Sequence, residues 1–160
     1  MEAERLIAAG RLALAQCEDA AEVVAEAWQA EALAQAIGGQ LSVCGPKELR
    51  GEARALGEGG GRAGSAPDVP LSRTAIPRAA QLTGVSDPPR VLMLLSDLLG
   101  EVGIALVGVA CATDEEGLYW QCIEAIDATD ESGDRVRAML RRLSTRERGR
   151  VGPDAATSPP

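Results

Sequence analysis

Between Leu118 and Leu143, the residues Leu118, Cys122, Ala125, Thr129, Ser132, Val136, Met139 and Leu143 recur at intervals of four and three. Side chains spaced this way fall on one stripe of a helix, whereas a strand would scatter them over both faces. Such a stripe is stable only when another element covers it, and heptad spacing suits a second helix. Thr113 and Glu116 have the spacing of a capping box, which predicts a last helix over about residues 114–146.

The N-terminal part repeats the pattern. Ala3, Ile7, Gly10, Leu14, Cys17, Ala21, Val24 and Trp28 alternate four and three apart, and the stripe then passes to Val23, Ala27, Ala30, Ala34, Ile37 and Leu41. Asp19 with Glu22 is a cap signal, so residues 2–43 form one helix or two. Gly38-Gly39 weakens its end and Gly45-Pro46 stops it. Residues 47–57 read as a short charged helix around Leu49, Ala53 and Leu56.

Residues 90–112 are the most apolar segment, which raises the question of a membrane span. Its Leu, Ile, Val and Met residues contribute roughly −4 to −7 kcal/mol towards insertion, but Asp97 and Glu101 near the middle cost about 2.5–3.5 kcal/mol each. A buried core helix is therefore the expectation. Gly100, Gly103 and Gly108 within it sacrifice about 3 kcal/mol of helix propensity relative to alanine. Close approach of the Ala-rich face of the N-terminal helices is the expected compensation.

Composition agrees with helices. Ala, Leu and Val dominate the apolar share, Phe is absent, and Trp28, Tyr119 and Trp120 are the only aromatics. A chain of 160 residues suits one domain. The expected fold is all-α: an antiparallel bundle of four or five helices over residues 1–148. The two C-terminal helices pair as a hairpin against the N-terminal pair. Gly- and Pro-rich residues 57–89 are expected as a flexible connection, with one helical stretch near Arg78–Leu82, and 149–160 as a disordered tail.

Charge and missing residue types narrow the function. A net charge of −8 argues against nucleic acid and anionic lipid as partners. The chain has no His, which removes Ser-His-Asp and Cys-His catalysis and imidazole metal sites. Cys17, Cys44, Cys111 and Cys122 are dispersed, with neither zinc-ligand nor disulfide-scaffold spacing, and read as free thiols. Gly59 to Gly64 matches G-x-G-x-x-G, but no strand precedes it and no helix follows, so it is not a dinucleotide site. Glu124, Asp127, Glu131 and Asp134 lie close to one helical face and read as solvated. Seven Arg between Arg135 and Arg150 follow ten acids and no base between Val91 and Asp134. This segregation complements a helix macrodipole, with an acidic partner as the weaker reading.

The strings VVAEAWQAEALAQAI (23–37), ELRGEARALGE (48–58) and EVGIALVGVACATDEEGLYWQCIEAIDATDE (101–131) resemble a family of small actinobacterial, streptomycete-type helical proteins, a domain of unknown function. The resemblance implies a cytoplasmic helical protein and transfers no activity, ligand or site residue.

The functional expectation is thus a non-catalytic cytoplasmic helical interaction or regulatory module, with a protein partner or self-association as a homodimer. No catalytic residue, cofactor or metal is expected. Tyr119, Trp120 and Trp28 are the candidate partner contacts, because adjacent Tyr119 and Trp120 point to different sides of their helix. The alternatives are a small carboxylate-dependent enzyme using Glu101 and the acidic face of the last helix, and a membrane-associated protein using residues 90–112.

Overall fold

Five helices build the core of the computed structural model, which describes residues 1–59 and 76–151. They are α1 (Ala3–Ala15), α2 (Ala20–Cys44), α3 (Arg50–Glu58), α4 (Pro88–Ala112) and α5 (Glu116–Arg150). Short 3₁₀ turns at Lys47–Leu49 and Arg78–Gln81 precede α3 and α4, and no strand occurs among the described residues. The all-α bundle expected from the periodicity is the fold found. The G-x-G-x-x-G string past Gly59, the connection over 60–75 and the tail over 152–160 lie outside the described residues.

The break between α1 and α2 is chemical. The Asp19 carboxylate accepts the backbone N–H of Glu22 at 2.8 Å, and the Glu22 carboxylate accepts that of Glu18 at 2.7 Å. Two otherwise orphaned donors at the start of α2 are thereby satisfied, so the N-terminal stripe is two helices. The start of α5 differs from expectation. Thr113 caps the end of α4, its hydroxyl accepts from the N–H of Glu115 at 3.1 Å, and α5 begins only at Glu116. Thr113 and Glu116 therefore form no capping box. At its other end α5 runs to Arg150, past the expected boundary at about 146.

The α4–α5 hairpin packs against α2, and α3 covers the flank between α2 and α5. Every residue of the stripe from Leu118 to Leu143 is buried or packed on the core. Leu33, Ile37 and Leu41 of α2 meet Leu92, Leu95, Leu98 and Leu106 of α4 in one cluster with Leu6 and Ile7 of α1. The later part of the connection is laid onto this bundle. The Arg78 guanidinium makes two hydrogen bonds to the Glu26 carboxylate of α2, at 2.5 and 2.8 Å, with both groups largely buried. The N-terminal ammonium donates to the Gln81 carbonyl at 2.7 Å, and Glu2 pairs with Gly84 in an isolated bridge.

The glycines reverse the expectation for α4. A Cβ built on Gly100, Gly103 or Gly108 meets nothing within 4 Å. The close approach occurs instead at Gly38 of α2, where a Cβ would lie 2.8 Å from the Ala53 carbonyl oxygen and the Gly57 nitrogen of α3. The propensity loss in α4 is therefore uncompensated within the described chain. Gly100→Ala is expected to raise unfolding stability by up to about 1 kcal/mol, measured by urea denaturation; a loss would show a neighbour that this structure does not contain.

Candidate functional site

Apart from exposed Asp97, the outer side of α4 is apolar although it faces solvent. Met93, Gly100, Ile104, Val107 and Cys111 follow helical spacing and are all exposed, Ile104 to 77%. On the first turns of α5, Tyr119 and Trp120 are exposed to 40% and 56%, with their rings edge to face and centroids 5.3 Å apart. Sequence reasoning expected one of these two rings to face outwards; both do. Trp28 stands apart from them on α2, half-buried against the core, and its indole N–H is enclosed without a hydrogen-bond partner.

The carboxylates named from sequence do not converge. Glu101 is paired with the Arg11 guanidinium of α1. On α5, Glu124 and Asp127 are exposed, Glu131 holds Arg135 at 3.0 Å, and Asp134 holds Arg137 at 2.6 Å. Among the described residues no three acidic or thiol side chains gather as a metal-binding group. The Arg cluster is largely used within the fold: Arg142 reaches Glu52 at 3.5 Å and Arg146 reaches Glu48 at 3.4 Å, which ties α5 to α3 and its preceding turn.

A carboxyl that sequence reasoning passed over is the unusual one. Glu31 of α2 is only 6% exposed. One oxygen accepts the Ser132 hydroxyl at 2.6 Å and the Gln35 amide at 3.3 Å, while the other is enclosed without a partner. Burial pushes the Glu31 carboxyl above its ordinary range; the two hydrogen bonds oppose that shift and nearby Glu131 adds to it. A signal existed in the sequence. Glu31 continues the spacing of Ala27 and Ala34 on the apolar stripe, so a helix must bury it. What the arrangement does chemically is make ionisation of Glu31 inside the α2–α5 contact less favourable than in water.

The four thiols separate by environment. Cys44 and Cys111 are exposed, Cys17 is half-buried and Cys122 is buried, and burial raises the pKa of both Cys17 and Cys122. Only the thiolate reacts, so Cys44 and Cys111 carry the accessible chemistry.

Over residues 1–142 the sequence matches the profile described as "Family of unknown function (DUF6099)". The chain belongs to that family. No curated protein and no solved structure matches it. The DUF6099 match takes in α1 to α4 and α5 as far as Arg142, so both the outer face of α4 and buried Glu31 lie inside the family region.

Proposed function

We propose that this DUF6099 protein is a non-catalytic, cytoplasmic helical interaction module, and that the outer face of α4 receives an apolar helix of a protein partner. The observation that carries the reading is the open stripe on α4. Three glycines there weaken the helix by about 1 kcal/mol each, and no described residue of the chain approaches them. Small residues alternate there with Ile104 and Val107, the pattern into which a helix ridge packs. Four free cysteines without a disulfide suit a reducing compartment, and the Ala-, Gly- and Arg-rich composition suits a GC-rich actinobacterial genome.

A second reading rests on the length of α4. Its 25 residues are long and apolar enough to cross a membrane by length and composition, as the core helices of soluble proteins also are. Buried Val91, Leu95, Leu98, Val102 and Leu106 already occupy its inner face within the bundle.

The test uses the chain as bait in native cytosol, alongside Ile104→Asp, a substitution at a site too exposed to disturb the core. Expected are a stoichiometric partner or second copy held by the wild type and lost from the variant, and protection of Cys111 from thiol reagent in the complex. A monodisperse monomer that holds nothing, or binding indifferent to Ile104→Asp, would overturn the reading. Recovery of the chain with the membrane fraction would replace it with the second one.

A further inference from the structure

We propose that two copies of this chain pair through the outer face of α5, antiparallel, about a twofold axis at Asp134. This inference rests on the interaction-module reading and names one partner for it, through a different face from that of α4.

Five exposed residues of α5 lie one heptad apart: Trp120, Asp127, Asp134, Arg141 and Arg148. Residues seven apart share a helix face, so they form one seam, about 42 Å long at 1.5 Å per residue. The seam reverses its character about its centre. Asp127 lies as far before Asp134 as Arg141 lies after it, and Trp120 mirrors Arg148 in the same way. An antiparallel second copy centred on Asp134 therefore sets each Asp127 against an Arg141 and each Trp120 against an Arg148. A parallel pair would set Asp on Asp and Arg on Arg.

The ion pairs of α5 bear on the same seam. Arg135, Arg137, Arg142 and Arg146, four of the five arginines of α5 off the seam, pair with acids of their own chain. Asp127, Arg141 and Arg148, on the seam, make no ion pair among the described residues. These three charges are thus free to meet a twofold partner. The axis itself is tolerable, because each Asp134 that arrives there already holds its own Arg137 at 2.6 Å. At the ends, the guanidinium of Arg148 would lie over the exposed indole of Trp120, a favourable cation–π arrangement.

The experiment is sedimentation of the full-length chain at low salt, in wild type and in Asp127→Arg and Arg141→Asp variants. Both sites are exposed and unpaired, so the fold is expected to survive, with circular dichroism as the check. Each single variant creates two like-charge contacts and is expected to weaken the dimer by about tenfold or more. The double variant Asp127→Arg/Arg141→Asp restores opposite charges and is expected to recover it. An equimolar mixture of the two single variants is expected to form a heterodimer, since every contact across that pair joins Asp to Arg. A wild type that stays monomeric, or a dimer indifferent to these reversals, overturns the proposal. A dimer lost to Ile104→Asp but not to Arg141→Asp overturns the α5 seam while leaving the interaction-module reading in place.

Discussion

Gly38→Ala is expected to lower the unfolding stability by about 2 kcal/mol and the melting temperature by about 4–8 °C. In a helix the exchange normally stabilises by up to about 1 kcal/mol. Here the added Cβ would stand 2.8 Å from the Ala53 oxygen and the Gly57 nitrogen and 3.0 Å from the Leu56 Cβ. Two of those atoms are backbone, and no side chain can swing aside. Relief requires α3 to move off α2, which loosens buried Leu49, Ala53 and Leu56 and strains the Glu52–Arg142 contact with α5. The neighbouring residue is the control. A Cβ on Gly39 meets nothing within 4 Å, so Gly39→Ala is expected to be neutral or stabilising. Urea denaturation of the pair decides the matter; a Gly38→Ala protein as stable as Gly39→Ala would show that α2 and α3 are not in such close contact.

The second large effect concerns Glu31 and pH. Its folded pKa is raised above the ordinary value of 4.5, chiefly by burial. Between those two values the folded state holds more protons than the unfolded state, so stability falls as pH rises. The contribution is fully present below the unfolded pKa and is lost as pH climbs through the folded one. Glu31→Gln keeps an oxygen for the Ser132 hydroxyl and removes the ionisation. Above the folded pKa the variant is expected to be more stable than wild type by about 1–3 kcal/mol, the cost of a buried charge with an unsatisfied oxygen. Below about pH 4, where both side chains are neutral, the two proteins should converge. The measurement is the unfolding free energy of both proteins across that range. Parallel profiles would show that Glu31 ionises as freely in the fold as out of it.

Much of the architecture is legible in the residues. Leu118 to Leu143 form the buried stripe of α5 because the period of a helix is a local property, set by backbone geometry before anything packs. The Asp19–Glu22 spacing marks the break between α1 and α2 for the same reason, since a cap bonds to the N–H three residues away. Thr113 and Glu116 show where local spacing misleads. The hydroxyl of Thr113 bonds to Glu115 instead, and the preceding helix claims the residue as its end.

The candidate surface was legible in part. Tyr119 and Trp120 are rare rings and both stand in solvent; Trp28, equally rare, is packed against the core. Rarity identifies a side chain but not its surroundings. The outer face of α4 was hidden because an apolar segment with three glycines reads as buried on every side, and only the absence of a covering helix exposes it.

By itself the sequence determined the helical class, the positions of the stripes and the exclusion of imidazole chemistry, because each follows from covalent identity and nearest-neighbour spacing. Only the tertiary structure decided which glycines are crowded, which carboxyl is enclosed and which apolar face is left open. Those properties depend on atoms brought together from distant parts of the chain: Gly38 against Ala53, Glu31 against Ser132, Arg78 against Glu26. Burial and close approach are relations between segments, and no one segment carries them in its own residues.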